Sequence, residues 1–382
     1  MLPLSYSIRN LFRSPGRLAQ IVLGSALVSL LLMAAAAINA GMEGVLGATG
    51  SPRNVILLGA GSEESVERSE IAPSAPGIAA AAIRAADQPL GQPAVSGEVN
   101  FMNYVETPGG EKGQITLRGI TPAALAVHTE VRVTAGAFPA PGQLMVGRLA
   151  HYKLGFPEAA LALGKTLRIA GADLVIAGRF DAPGTVLESE IWMDQGDLLT
   201  LTQRDTLSAI VVRLGEGGEF DDVDLFAKQR LDLELAALSE SDYYDRLASF
   251  YAPVRYLTWI SAALIAAGAI FGGLNTLYAA FASRIREFGA LQAIGYSRTA
   301  LLVSLVQESL FAALAGALLA GALALLLVDG VTVPFSIGTF TMALTPGILA
   351  LGIGGGVALG IFGALPPAWA CLRPPITTAL RA

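Results

Sequence analysis

The sequence predicts an α-helical membrane protein with four transmembrane helices and a large α+β extracytoplasmic domain between the first and the second. Of its 382 residues, 53% are hydrophobic and only 15% are charged, whereas soluble domains carry roughly 25% charged residues. Four apolar stretches reach the length of about 20 residues that a helix needs to cross a bilayer. Charge also divides the chain, because residues 41–250 contain 16 Lys/Arg and 28 Asp/Glu while the remainder contains 9 and 3. An acidic domain is therefore inserted into a basic membrane part.

The first seventeen residues have the pattern of a helix that rests in the membrane interface. Ile8, Leu11 and Phe12 share one helical face, and Arg9 and Arg13 lie away from it, as in amphipathic interfacial helices. The Ser-Pro-Gly sequence at 14–16 is expected to break this helix and let the chain turn into the bilayer. A disordered basic leader is the alternative interpretation.

The first span and the orientation follow from charge. Residues 18–40 contain no charged side chain, and this run exceeds the roughly 7–15 apolar residues of a cleaved signal peptide. Arginines precede it, so the positive-inside rule places the N-terminus in the cytoplasm and the domain at 41–250 outside.

The inserted domain mixes short β-type runs with short helices. A hairpin is predicted around Gly171, where turn residues separate two β-type runs. The tract 222–256 is almost free of helix breakers and predicts a helical stalk that leads into the second span. His128 and His151 are predicted to be surface residues, since no cysteine accompanies them to build a metal site.

Sites for enzymatic chemistry are scarce in the sequence. No Gly-x-Ser-x-Gly elbow is present. The triplet at Gly164, Lys165 and Thr166 lacks the glycine of a phosphate loop, because that position is Ala159. The chain is therefore expected to be non-catalytic, and nothing in it predicts a metal site or nucleic-acid binding.

Three more spans complete the predicted topology, with both termini in the cytoplasm. The boundaries are an interfacial helix at 1–17, spans at 18–40, 251–282, 299–328 and 346–368, the domain at 41–250, a cytoplasmic helix at 283–298, an outer loop at 329–345 and a cytoplasmic tail at 369–382. The tail, with Arg373 and Arg381, is expected to begin where Pro366 and Pro367 end the last span.

Small residues recur within the predicted spans at intervals of four. Such spacing lets helix backbones approach closely, although Gly and Ala are also simply common in this sequence. The candidate helix-packing residues are Gly268, Gly272, Gly316, Gly352, Gly356 and Gly360.

One acidic residue, Glu308, lies in the spans. A transmembrane ion pathway usually carries ionisable groups deeper in the membrane. We therefore expect Glu308 to be an interfacial cap or the partner of a local arginine near the cytoplasmic leaflet, and a mechanistic role is the alternative.

Three separate segments resemble the FtsX/MacB/LolC-type permeases of ABC transporters. The middle segment carries Arg284-x-Arg286-Glu287-x-Gly289-x-Leu291-x-Ala293-Ile294-Gly295, followed by Gln307-Glu308. The opening carries Arg9-Asn10-Leu11-x-Arg13-Ser14-Pro15-x-Arg17, and the segment from Arg373 to Arg381 is similar to the closing motif of the family.

The resemblance implies a mechanism and a set of partners. Such a chain would lie in the bacterial inner membrane, pair with a second permease copy (identical or a paralogue) and bind a separate cytoplasmic ATPase, which would hold ATP and Mg²⁺. The helix at 283–298 would be the coupling helix. The residues implied in ATPase coupling are Arg284, Arg286, Glu287, Gly289, Leu291, Ala293 and Gly295.

Two functions fit this family resemblance. The chain could move a lipid, lipoprotein or other extracytoplasmic cargo, with membrane lipids around it and a periplasmic adaptor as a further partner. Alternatively, it could transmit a signal to an extracytoplasmic partner such as a cell-wall hydrolase. A sensor or adhesin without an ATPase is a third hypothesis.

Overall fold

The computed structural model describes residues 4–380, and Arg381 of the predicted tail lies outside the described residues. The chain divides into two compact units. We call the first unit, residues 1–40, 253–331 and 342–382, the helical unit. The second unit, residues 41–252 and 332–341, is called the inserted domain.

The α-helices of the described residues vary in length from single turns to spans. In chain order they are α1 (Leu4–Leu11), α2 (Pro15–Thr49), α3 (Ala75–Ala82), α4 (Ala124–Val127), α5 (Ala150–Leu154), α6 (Gln195–Thr202), α7 (Phe220–Gln229), α8 (Glu240–Phe250), α9 (Ala252–Ala282), α10 (Ile285–Ala293), α11 (Arg298–Leu327), α12 (Pro346–Leu372) and α13 (Ile376–Ala379).

Four of the described helices are long and apolar enough to cross a membrane: α2, α9, α11 and α12. The break predicted before the first span is confirmed, since α1 ends at Leu11 and α2 begins at Pro15. Proline suits the first position of a helix, because its missing N–H would have no intrahelical partner there.

The last span does not end at its two prolines. Helix α12 runs through Pro366 and Pro367 to Leu372, so the sequence-based end of this span was wrong. Proline keeps a helical φ, although it removes an N–H donor and its ring crowds the preceding turn. Beyond it, Ala368, Cys371 and Leu372 are buried in one apolar cluster, and this packing favours continuing the helix.

The strands belong to the inserted domain. They are β1 (Asn54–Gly59), β2 (Val95–Glu106), β3 (Lys112–Ile120), β4 (Arg132–Gly136), β5 (Gln143–Gly147), β6 (Thr166–Ile169), β7 (Ala172–Asp181), β8 (Ile191–Asp194), β9 (Ala209–Arg213), β10 (Leu235–Ser239), β11 (Thr332–Pro334) and β12 (Thr339–Thr341).

Ten of these strands form one mixed sheet in the order β10-β1-β9-β2-β3-β8-β5-β7-β4. Strand β6 pairs with both β2 and β7, so the pairings β2-β3-β8-β5-β7-β6 close on themselves. The predicted hairpin at Gly171 is confirmed, because β6 and β7 pair in antiparallel fashion across it. The long strand β2 links this closed part to β9, β1 and β10.

The helical stalk predicted at 222–256 is interrupted. Helix α7 ends at Gln229, and Leu235–Ser239 forms strand β10, which pairs with β1 in the register Val55↔Ser239. Glu234, just before the strand, has a φ of 47°. Strand β10 forms the edge of the sheet beside β1, and that long-range pairing outweighs a local helical preference.

A second difference concerns the loop predicted at 329–345. It contains the antiparallel hairpin of β11 and β12. The amine of Lys153 donates to the carbonyl oxygen of Ser336 at 2.8 Å within the inserted domain. This hairpin is therefore part of the inserted domain.

Candidate functional site

Helix α10 lies between the second and third candidate spans. Gly295 ends this segment with a φ of 109°, a backbone conformation that favours glycine. The Ser297 side chain then accepts a hydrogen bond from the Ala300 N–H and caps α11. The glycine turn ends the α10 segment, and the cap at Ser297 begins α11 directly after it. Helix α10 is therefore short and has a defined end.

One face of α10 is held by polar contacts. The Arg284 guanidinium donates to Glu287 at 2.9 Å and to Glu308 of α11 at 3.2 Å. The hydroxyl of Tyr6, on α1, donates to the Glu287 carboxylate. Arg284 and Glu287 thus join α10 to α1 and α11.

Glu308 is the centre of this network. It is 4% exposed, forms ion pairs with Arg17 of α2 and Arg284, and accepts from the Asn10 amide at 2.6 Å. The expectation that Glu308 pairs with local arginines is therefore confirmed. Four helices, α1, α2, α10 and α11, meet at this carboxylate.

Protonation equilibria reflect the same contacts. Burial, together with the hydrogen bond to Glu287, raises the pKa of Tyr6 to about 12. Burial alone would raise the pKa of Glu287, but hydrogen bonds from Arg284 and Tyr6 outweigh it and lower the pKa. Glu287 is therefore ionised and Tyr6 neutral at physiological pH, which suits a donor and a charged acceptor.

Apolar packing holds the same face of α10. Phe288 is 2% exposed, and Leu291 packs beside it in the cluster that includes Phe281. A methyl group at Gly289 would lie 3.0 Å from the Cβ of Ala379 on α13. Gly289 thus allows the C-terminal helix to approach α10 closely.

The opposite face of α10 is open in this chain. Arg286, Ala290 and Ala293 are exposed, and Ile294 is 77% exposed. Of the residues predicted for ATPase coupling, Arg286, Ala293 and Gly295 lie on exposed positions. The other four, Arg284, Glu287, Gly289 and Leu291, face the helical unit.

Four of the predicted packing glycines lie at close helix contacts. An added methyl would approach the Val22 carbonyl oxygen to 2.3 Å at Gly316. At Gly356 it would meet the Ser29 hydroxyl at 2.5 Å and the Ala317 methyl at 2.7 Å.

The same holds at Gly352, where a methyl would lie 2.4 Å from Met33, and at Gly360, where it would lie 2.6 Å from the Ala313 Cβ. Gly268 and Gly272 differ, because nothing lies within 4 Å of a methyl at either position. These two glycines of α9 make no close helix contact within the described residues.

A buried ionic cluster in the inserted domain was not predicted. Arg118 donates to Glu98 at 2.6 Å and to both carboxylate oxygens of Glu190 at 2.7 Å. His128, predicted to be a surface residue, is 1% exposed and lies 2.8 Å from Glu98. The surface assignment of His128 was wrong because its partner Glu98 comes from β2, 30 residues earlier in the chain.

The cluster has strongly shifted protonation. Burial would lower the pKa of His128, but the Glu98 carboxylate raises it to about 10. Burial would raise the pKa of Glu98, but His128 and Arg118 lower it to about 2. The imidazolium and the carboxylate are therefore both charged at neutral pH, as buried ions with close partners are.

The residues of this network missed from sequence are Tyr6, Asn10 and Arg17. Asn10 and Arg17 belong to the opening motif, and Glu308 belongs to the middle motif. Two motifs of one resemblance that sit almost 300 residues apart could have suggested a contact between them, but no local pattern identifies the pair.

Two family models match this chain, one mainly over the inserted domain and one over the C-terminal spans. The family model described as FtsX-like permease C-terminal matches residues 259–376. The family model described as MacB-like periplasmic core domain matches residues 18–224, more than half of the chain. No curated protein sequence matches the chain.

Solved structures are similar over the inserted domain at low identity. The periplasmic region of MacB from Actinobacillus actinomycetemcomitans is 10% identical, covers 52% of this chain and 94% of its own, and has a TM-score of 0.39. The extracellular domain of the noncanonic ABC-type transporter YknZ from Gram-positive bacteria is 14% identical, covers 48% and 99%, and has a TM-score of 0.37. A domain of a Porphyromonas gingivalis permease protein is 15% identical, covers 49% and 88%, and has a TM-score of 0.35.

Four candidate spans around a large α/β domain define a multi-pass membrane protein of the permease class. The chain belongs to the family of FtsX-like and MacB-like permeases. It is accordingly a transmembrane subunit of the ABC transporter type, and permeases of this family work with cytoplasmic ABC ATPases.

Proposed function

We propose that this chain transmits the motion of a separate cytoplasmic ATPase to its extracytoplasmic domain in order to move a lipid, lipoprotein or other extracytoplasmic cargo. In this proposal the chain itself is non-catalytic, and ATP and Mg²⁺ bind the partner. Both termini and α10 lie in the cytoplasm. A second permease copy completes the transporter.

The observation that carries the proposal is the two-sided character of α10. One side is fixed to α1, α11 and α13 by Glu287, Arg284 and Gly289. The other side presents Ile294 at 77% exposure together with Arg286. A helix that is fixed to the spans and open outward can pass a push from a bound protein into the membrane part.

The predicted coupling residues have two different roles in this proposal, depending on which face of α10 they occupy. Arg286, Ala293 and Gly295, with Ile294, would contact the ATPase. Arg284 and Glu287 would pass the force inward through Glu308 to α2 and α11. A charged residue at Arg286 and an apolar one at Ile294 match the mixed character of protein interfaces.

The test is co-purification of the tagged chain with its ATPase from membranes. Ile294→Glu places a charge at the exposed C-terminal end of α10 and is expected to weaken ATPase retention at least tenfold, since loss of an interface anchor costs roughly 2 kcal/mol or more. Arg9→Glu is the matched control, because Arg9 is exposed on α1 at the same membrane side.

Retention of the ATPase by Ile294→Glu at the wild-type level would refute this docking face. Loss of retention with Arg9→Glu as well would show that surface charge, rather than the α10 face, governs the association. Size-exclusion chromatography confirms that each variant remains folded.

A further inference from the structure

A polar cavity of about 600 Å³ opens between the start of α2, the end of α9 and α10. Its lining includes three guanidinium groups, those of Arg13, Arg17 and Arg284, and one carboxylate, that of Glu287. Ser14 and Ser283 add hydroxyl groups to the wall. This set of donors suits an anion with several oxygen atoms, such as a phosphate.

The arginines of this cavity differ in their engagement. Arg17 and Arg284 form ion pairs with Glu308, and Arg284 also pairs with Glu287, so their positions are fixed but part of their charge is balanced. Arg13 is exposed and forms no ion pair among the described residues, although its charge helps to lower the pKa of Glu287 in the same cavity. Arg13 is therefore the cation that a bound phosphate would engage most fully.

An apolar groove of about 360 Å³ adjoins the polar cavity, and Thr276 lines both. The groove runs between α2 and α9 and is lined by Ile21, Leu27 and Ile270. Gly24 also lines it, and an added methyl there would meet nothing within 4 Å. A charged chamber continuous with an apolar groove has the shape of a site for an amphiphile.

The depth of the two cavities matches one leaflet. Ile8 on α1 is 46% exposed, and Phe12 in the turn directly after α1 is 68% exposed, which places this segment in the membrane interface. Arg13 then lies at the level of the headgroups. From Arg17 to Leu27 the helix rises about 15 Å, roughly half of the ~30 Å hydrocarbon core.

We propose that the two cavities together bind one anionic phospholipid of the adjacent leaflet, with its phosphate at Arg13, Arg17 and Arg284 and an acyl chain in the groove between α2 and α9. This lipid is a bound component of the permease and is separate from any transported cargo. The proposal depends on the cavities alone, so it stands or falls independently of the ATPase docking face.

The headgroup is tested by native mass spectrometry of the full chain in detergent with phosphatidylglycerol or phosphatidylcholine. Wild type is expected to retain phosphatidylglycerol preferentially, and Arg13→Gln to reduce that retention about five- to tenfold, the value of one charge-assisted contact. Arg9→Gln is the matched control, because Arg9 is an exposed arginine of α1 that does not line the cavity.

Equal retention of both lipids by wild type would overturn the proposal. The same loss in Arg9→Gln and Arg13→Gln would also overturn it, because general attraction to surface charge would then explain the binding. Inorganic phosphate and glycerol 3-phosphate are added as competitors at millimolar concentration. Displacement of the lipid by either would assign the cavity to a soluble phosphate instead.

The acyl groove is tested with Gly24→Leu, whose side chain would fill it. Gly268→Leu is the matched control, because Gly268 also has open space around it but does not line the groove. We expect Gly24→Leu to lose phosphatidylglycerol and Gly268→Leu to keep it. Light scattering of both variants measures self-association. If wild type carries no bound lipid and Gly24→Leu no longer self-associates, the groove binds a second copy of the chain and the proposal is overturned.

Discussion

Replacement of Glu308 by glutamine tests whether the carboxylate at the junction of α1, α2, α10 and α11 holds these helices together. The substitution keeps the shape of the side chain and an acceptor for the Asn10 amide, and it removes the charge. Arg17 and Arg284 would then face each other across a neutral group. We expect a marked loss of stability in the helical unit.

The magnitude follows from distance and burial. At the 3.2 Å separation of Arg284 and Glu308, the Coulomb attraction at an effective dielectric constant of 20 is about 5 kcal/mol. The side chains of Glu308 and Arg17 are 6% and 10% exposed, so this is a buried cluster and not a surface pair. Removal of one partner from such a cluster costs about 3–5 kcal/mol.

The assay is unfolding of the purified chain by SDS in mixed micelles, followed by circular dichroism. Asp224→Asn is the control, because it neutralises the solvent-exposed pair of Asp224 and Lys228 and is expected to leave stability unchanged. If Glu308→Gln unfolds at the same SDS fraction as Asp224→Asn, the carboxylate does not hold the helices together and the reasoning fails.

Three more expectations follow from buried contacts. Arg118→Met leaves the buried Glu190 carboxylate without a cation and Glu98 with His128 alone, and it should destabilise the inserted domain by about 3–5 kcal/mol, measured by urea unfolding; a change under about 1 kcal/mol would contradict the buried network. Because the pKa of His128 is raised from 6.5 to about 10, its contribution is complete below pH 6.5 and is lost as pH rises toward 10. Because the pKa of Glu98 is lowered from 4.5 to about 2, its contribution is complete above pH 4.5 and is lost as pH falls toward 2. Stability of the inserted domain should therefore be greatest between about pH 4.5 and 6.5, and unfolding followed by tryptophan fluorescence across pH would show a flat profile if the pair is not coupled. Gly316→Val should impair assembly of the helical unit, since its side chain would collide with the α2 backbone, whereas Gly268→Val should have little effect; thermal unfolding in detergent compares the two, and equal melting temperatures would refute the contact.

Sequence patterns predicted the membrane part closely because the bilayer imposes simple local requirements. A span needs about 20 predominantly apolar residues with few charges, and four helices of that kind are found among the described residues. The break before Pro15 followed from proline chemistry. The end of α12 was misjudged, because packing of Leu372 sustains a helix beyond two prolines. The outer loop at 329–345 was misjudged as well, since it contains a strand pair.

The inserted domain was less accessible to sequence reasoning. Its hairpin at Gly171 follows from turn residues, whereas β10 forms because Leu235–Ser239 pairs with a strand almost 180 residues earlier. Burial of His128 likewise depends on Glu98 of a distant strand. Strand pairing and buried charge pairing are non-local, so no window of sequence contains both partners.

Helix α10, between the second and third spans, shows most clearly what the sequence determines and what only tertiary contacts decide. Its existence, its bounds near 283–298 and its basic character follow from the sequence alone, because periodicity and charge are local. Which side is open was decided only by tertiary contacts, since Tyr6 and Glu308 reach Glu287 and Arg284 from other helices. Those contacts hold the face with Arg284 and Glu287 against the spans and leave Arg286 and Ile294 exposed. The face of a helix that is buried depends on which residues of other elements pack against it.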